Sequence, residues 1–519
     1  MEHVWTLMFV LFFSAQLVSA DDEYRRVFGK PSLKYAPYKH RTILTATTNP
    51  RPKTYRYDDY DDWRTKPDWT TPPSIKSPYK EAESLTIRTW CPNYTKQIEK
   101  YRAEMNSNIV LNLSSTGMQK LGNLFIESSY IKELYLNDNN ITEISTMAFH
   151  GLPKLEVLTL SNNNISTDKL LYLKVHETLK TLLLDDNKYN SINDSIDQMF
   201  NNMPRLRELS LKRNGIARFS VNLKEFTPSL TKLYLSGNKI KSTDFLKNVP
   251  EKLTHLYLDD NNIETFSGYK LDNLQELFIN ENEITKLGNK EDYIDDDDKR
   301  LLTLDKMAKL VKLNVSSNKI SDVTHDTFRN TTNLVELDLS NNKIVELPDN
   351  VFDALPLETL RINKNQLQFV PNLCSLDRLK SLDLSDNRIV AVTRESFCER
   401  QLKDTNEVFN TDNDSFRKFR MLQWLNLSGN RIVNFPVNLI REPSYLKVLL
   451  LKDNNIASIN DLFDVRSYNL EELNVEGNPL LSLSISFMPK LTIHLMECKK
   501  TTELKNTTIE TTTSDDTDY

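Results

Sequence analysis

One short frame, L-x-x-L-x-L-x-x-N-x-I, returns along most of this chain. It reads IKELYLNDNNI (131–141), LEVLTLSNNNI (155–165), LKTLLLDDNKY (179–189), LRELSLKRNGI (206–216), LTKLYLSGNKI (230–240), LTHLYLDDNNI (253–263) and LQELFINENEI (274–284). After a gap come LVKLNVSSNKI (310–320), LVELDLSNNKI (334–344), LETLRINKNQL (357–367) and LKSLDLSDNRI (379–389). After a second gap come LQWLNLSGNRI (422–432), LKVLLLKDNNI (446–456) and LEELNVEGNPL (470–480). These fourteen matches, most of them 21 to 27 residues apart, exclude coincidence. Each unit is a short strand and a return segment, too small to bury its own leucines. Stacked units solve this by making one parallel sheet over a continuous apolar interior.

Alternation along x-L-x-L-x sends the two leucines inward and the x residues outward. The ninth-position asparagines, such as Asn139, Asn261 and Asn430, are expected to turn inward. There their amides can satisfy loop backbone groups that are costly to bury unpaired. Phe149, Phe200, Phe328 and Phe352 recur at matching offsets on the return side, which predicts an aromatic spine. Glycine is scarce, at 10 residues, so asparagine is expected at left-handed turn positions.

These repeats resemble the extracellular "typical" leucine-rich repeat class, whose units run to about 24 residues. Toll-like receptor ectodomains, small leucine-rich proteoglycans and insect leucine-rich repeat immune factors are similar. The resemblance covers roughly residues 106–498. It implies an α/β leucine-rich repeat solenoid, a horseshoe with a parallel concave sheet, preceded by a disordered N-terminal arm. It says little about function, because such solenoids host many partners. Neither a Toll-type signalling domain nor a long C-terminal heptad repeat is seen, so those sub-families are not matched in full.

The expected organisation is a signal peptide at 1–20, a Tyr/Pro/Thr-rich arm at 21–90, the repeat domain at 91–498 with about 15 repeats, and an acidic Thr-rich tail at 499–519. Insertions break the period near 288–304 and 391–420. The leader reads MEHVWTLMFVLFFSAQLVSA, an apolar run ending in small residues. A membrane anchor is the competing reading, though the run is short for a span of about 20 residues. No second apolar run of that length follows. The expectation is a secreted, extracellular chain without a membrane span. Ten Asn-x-Ser/Thr sequons suit that compartment: Asn93, Asn112, Asn140, Asn164, Asn193, Asn314, Asn330, Asn413, Asn426 and Asn506.

The arm sets Tyr57 and Tyr60 among four aspartates in YRYDDYDDW (55–63). Such clusters resemble the sulfated tails of some small leucine-rich proteoglycans, which makes Tyr57, Tyr60 and Tyr519 sulfation candidates; a plain solvated linker is the alternative. Of the four cysteines, Cys374 falls at a spine-phenylalanine place and Cys398 lies one residue past Phe397 in the next unit. Adjacent strands lie about 4.8 Å apart, within the reach of a disulfide, so a Cys374–Cys398 bridge is expected over two buried thiols. Cys91 and Cys498 bracket the repeats, too far apart to pair within one chain. They are candidates for a bond between chains in a homo- or hetero-dimer, or for burial as end-cap residues.

Sites for chemistry are missing from the sequence. Seven histidines are scattered, with only His255 expected on a strand's outer face. No Gly-rich phosphate loop, Cys-x-x-Cys, HExxH or nucleophile elbow occurs, so no enzyme, cofactor or metal is expected. A net charge of −6 and the want of basic patches interleaved with aromatics argue against nucleic acid.

Outward positions carry the more specific signal. The fifth-position column places Tyr234, Tyr257 and Phe278 in consecutive units, with Tyr135 earlier in the same column. Lys232, His255 and Glu276 fill the third position beside the trio. Large, partly polar aromatics are favoured interface anchors; packing within the sheet is the alternative. Sequons at Asn112, Asn314 and Asn426 share the fifth position, leaving a stretch free of concave-face sequons from about Glu133 to Glu281. The expectation is therefore a binding protein that takes an extracellular protein or glycan on its concave face, with innate immune recognition as one setting. Matrix or cell adhesion, or an inhibitor or scaffold for a secreted enzyme, are the alternatives.

Overall fold

The computed structural model describes most of residues 110–495. Breaks fall at 167–176, 188–202, 289–299, 393–420, 436–444, 460–468 and 484–490, and at the single residues 269, 354 and 374. The two-residue strands Leu44–Thr45 and Thr86–Ile87 are the described parts nearer the N-terminus. The leader, most of the arm, all four cysteines, Phe200, Tyr57, Tyr60, Tyr519 and the sequons Asn93, Asn193, Asn413 and Asn506 lie outside the described residues.

Every frame forms a three-residue strand, and the strands pair in parallel in chain order. The parallel pairings run from Val110–Asn112 to Thr492–His494. Register is set residue on residue, as in Leu233↔Leu256↔Leu277, so each inward leucine stacks on the next. Leu256 and Leu258 flank the outward Tyr257, and both are fully buried. The period of two along a strand thus fixes which side chains see water.

The asparagine ladder forms as the frame predicts. Asn261 donates from Nδ2 to the Leu235 and Leu258 carbonyls at 3.0 Å each, and its Oδ1 accepts from Ile240 N at 3.0 Å. Asn139, Asn163, Asn238, Asn342 and Asn430 repeat the pattern, all buried. One amide therefore ties two consecutive turns and satisfies three backbone groups.

Asparagine takes the left-handed turn position in a minority of turns. That position falls one residue before each ladder asparagine and is taken mostly by other types: Asp138, Asp186, Asp260, Asp386 and Asp453, with glycine at Gly237, Gly429 and Gly477. Asparagine holds it at Asn162 and Asn341. Aspartate tolerates this conformation for the same reason as asparagine, a short polar side chain. The ladder place is then free for an amide, which has the donors that a carboxylate lacks.

On the return side, Phe149, Phe328 and Phe352 are buried, and Phe328 stacks on Phe352 at 6.0 Å between centroids. Among the described residues helix is limited to the short segment Leu223–Phe226 and the 3-10 turn Asp244–Asn248. The break in the period at 288–304 ends inside the core. Glu276–Phe278 pairs directly with Lys312–Asn314, so the extra residues add no strand to the main sheet. Instead Leu301–Thr303 enters a second, four-stranded sheet between Phe266–Ser267 and Lys286–Leu287. Leu302 is fully buried there.

Candidate functional site

The trio of outward aromatics is brought together by register alone. Tyr234, Tyr257 and Phe278 end three neighbouring strands and pair residue on residue. Their rings stack face to face. Tyr234 and Tyr257 lie 4.6 Å apart at 11°, and Tyr257 and Phe278 lie 5.0 Å apart at 22°. Lys212 Nζ caps the far side of the Tyr234 ring at 4.5 Å, a cation–π contact. All three rings are half-buried.

The third-position row supplies the charge. It runs Glu208, Lys232, His255, Glu276, Lys312 and Glu336 across six strands, and Lys312 pairs with Glu336 at 3.3 Å. Tyr257 donates its hydroxyl proton to Glu276 Oε2 at 2.7 Å. His255 Nε2 lies 3.9 Å from the same oxygen, and its Nδ1 is 2.8 Å from Thr254 Oγ1. Burial pushes the His255 pKa below its ordinary value and outweighs the pull of Glu276, which acts the other way. Burial, then the bond to Glu276, pushes the Tyr257 hydroxyl above the usual phenol range. The imidazole is accordingly neutral at pH 7, and Tyr257 is a donor at every physiological pH.

Lys232, His255, Glu276, Tyr234, Tyr257 and Phe278 therefore form one patch. Tyr135 does not join it. It lies four strands from Tyr234, and its hydroxyl is held by Glu133 at 3.0 Å. Lys212 and Thr254 belong to the patch but were not singled out from sequence; their signal was the seventh and second positions of the same units. A second strand histidine, His494, corrects the expectation that His255 stands alone. It sits in the terminal strand, whose sequence departs from the frame, with Nε2 3.3 Å from Glu472 Oε1.

Concave-face sequons stand on both sides of the patch, Asn314 next to it and Asn112 five strands from Tyr234. Asn112 pairs with Tyr135, and Asn314 pairs directly with Phe278. Between them lie seven strands whose fifth positions carry no sequon. Asn426 lies further on, beyond Asp338, Arg361 and Asp383. Those three form a charge ladder, with Arg361 Nη1 3.9 Å from Asp338 Oδ2 and the Asp383 carboxyl pushed up by burial. Asn140, Asn164 and Asn330 are exposed away from the sheet.

Among the described residues no cluster of His, Cys, Asp or Glu could hold a metal, and no helix is long and apolar enough to cross a membrane. Family models for "Leucine rich repeat" match residues 110–169, 177–240 and 308–367, and one for "Leucine Rich repeats (2 copies)" matches 228–271. Podocan of Mus musculus is 28% identical over 385 residues, covering 68% of this chain. The chain spans 61% of that relative's length. Lumican of Gallus gallus is 26% identical over 284 residues, covering 54% of this chain and 71% of lumican. Both relatives are small leucine-rich proteoglycans.

Solved structures share the fold. A Leptospira interrogans leucine-rich repeat protein has a TM-score of 0.56 at 21% identity, covering 74% of this chain and 93% of its own. Drosophila Toll, solved with Spatzle, has a TM-score of 0.53 at 19% identity, covering 71% of this chain and 47% of its own. With the parallel ladder, the asparagine column and these matches in agreement, the chain is built of leucine-rich repeats and folds as a leucine-rich repeat solenoid.

Proposed function

We propose that this chain binds an extracellular protein on the concave face, over the strands between Asn112 and Asn314. One observation carries the reading: three outward aromatics are locked into a single half-buried stack, with Glu276, His255 and Lys232 beside them. A rigid aromatic block with charged neighbours presents apolar area without an ordering cost on binding. Stacking closes four of the six ring faces and Lys212 a fifth, so ring edges, polar tips and the outer face of Phe278 meet a ligand. Sugar rings prefer open aromatic faces, which favours a protein over a glycan here. Glycans on Asn112 and Asn314 would border the surface at both ends.

The likeness to podocan and lumican supports a setting in the extracellular matrix over one in immunity. The leader at 1–20 and the sequons support export.

The test is capture of a protein from the native extracellular fluid, read by mass spectrometry. The variant Tyr234→Ala/Tyr257→Ala/Phe278→Ala should lose it while still being exported, and Lys232→Glu, which leaves the stack intact, should weaken it. Capture unchanged in both variants ends the proposal.

A further inference from the structure

A second surface lies on the loops just past the asparagine ladder. In three of the four turns from Lys343 to Val433 the ladder asparagine is followed by a recurring triplet. It is basic, buried aliphatic, exposed valine: Lys343-Ile344-Val345, Arg388-Ile389-Val390 and Arg431-Ile432-Val433. The turn between the first two places Phe369 one residue later. Val345, Phe369, Val390 and Val433 are 44%, 73%, 50% and 45% exposed. In earlier turns the same place holds Thr142, Ser166, Ala217, Lys241, Glu264 and Ser321, so the repeat itself does not demand an apolar residue there.

These segments are neighbours in space. Gln366 N donates to Ile344 O, Arg388 N to Leu367 O, and Arg431 N to Ile389 O, each at 2.9 Å; Val433 N donates to Val390 O at 3.4 Å. Four apolar side chains thus form a stripe about 14 Å long, taking three spacings of about 4.8 Å. A row of exposed cations runs beside it. Among the described residues Lys343, Arg388 and Arg431 are held in no ion pair. The sheet-face Lys380, by contrast, is tied to Glu358 at 2.7 Å.

We propose that this stripe docks an acidic polypeptide segment bearing aliphatic or aromatic side chains. Charge and shape together select that occupant. A second copy related by a two-fold axis would set cations against cations. A sulfated polysaccharide would answer the cations and leave the valine row bare. An acidic segment with apolar side chains answers both rows at once. The stripe lies off the sheet's outer face, so it stands apart from the concave patch proposed above.

The probe is a fluorescent hexapeptide, Asp-Asp-Tyr-Asp-Asp-Trp, with the chemistry of residues 58–63 of this chain. It is titrated against the full-length protein by anisotropy. Saturable binding is expected, weakened at least tenfold by Lys343→Glu/Arg388→Glu/Arg431→Glu and at least tenfold by Val345→Ser/Val390→Ser/Val433→Ser. The variant Tyr234→Ala/Tyr257→Ala/Phe278→Ala should bind the peptide as the parent does, which separates the two surfaces. Absence of saturable binding, or binding that survives charge reversal, overturns the proposal. Retention on heparin or on phosphatidylserine vesicles with no peptide binding overturns it in favour of a polyanion or a membrane.

Discussion

The Tyr257 hydroxyl donates to Glu276 Oε2 across adjacent strands, at 2.7 Å, from the fifth position of one repeat to the third position of the next. The bond fixes the ring at the angle from which it stacks on both Tyr234 and Phe278. It also places one carboxylate between a phenol and an imidazole, since His255 lies 3.9 Å from the same oxygen.

Removing that bond is a clean perturbation. Tyr257→Phe keeps the ring and deletes the donor, leaving Glu276 half-buried with one partner fewer. The expected loss is about 1 kcal/mol of unfolding free energy, discounted for the partial exposure of both groups. Urea unfolding followed by circular dichroism measures it, and an unchanged midpoint would show that the bond is idle.

Asn261→Ala should cost more. It orphans the buried Ile240 amide and removes one of the two asparagine donors from each of the Leu235 and Leu258 carbonyls, which keep Asn238 and Asn282. One orphaned buried group costs about 1–3 kcal/mol and the bonds lost from the carbonyls add to it, so a loss of about 2–3 kcal/mol is expected. Asn261→Asp should not restore it, because a carboxylate has no donor for the two carbonyls. Recovery by aspartate in a thermal melt would refute this account of the ladder.

The ladder and the inward leucines were legible from residue spacing because both obey short periods that the backbone imposes. Tyr135 was not separable from the trio on that basis. It shares their column, and only the strand count between Tyr135 and Tyr234 sets it apart. Lys212 was invisible for the opposite reason: it sits in a column of turn residues and reaches Tyr234 only through the direction of a long side chain.

His255 should make the protein less stable in mild acid. Its folded pKa lies below the ordinary value of 6.5, so the unfolded chain takes up the proton first. The stability it contributes is complete above pH 6.5 and is lost as pH falls through the folded pKa. The parent should therefore lose stability below pH 6.5 faster than His255→Gln. Denaturation midpoints of the two proteins between pH 5 and pH 8, on the scale of the histidine range, decide it; parallel curves would contradict the burial of the ring.

Lys212 and Tyr234 should be coupled. A double-mutant cycle with Lys212→Met and Tyr234→Leu is expected to give a coupling of about 0.5–1 kcal/mol, the range for a partly exposed cation–π contact. Additive single effects would mean that the lysine only passes over the ring in solution.

The amino-acid sequence determined everything that repeats. Fourteen frames fix the strands, their parallel register, the buried leucines and the tying asparagines, because each depends on a spacing of two or three residues along the backbone. The tertiary structure decided what breaks or crosses the repeat. It put Leu301–Thr303 into a second sheet out of chain order. It also aimed His255 and Tyr257 at one carboxylate and set Phe278 beside the sequon Asn314. The reason is that a side chain's partner here lies one turn away, some 20 to 40 residues along the chain, and no local pattern carries the rotamer that joins them.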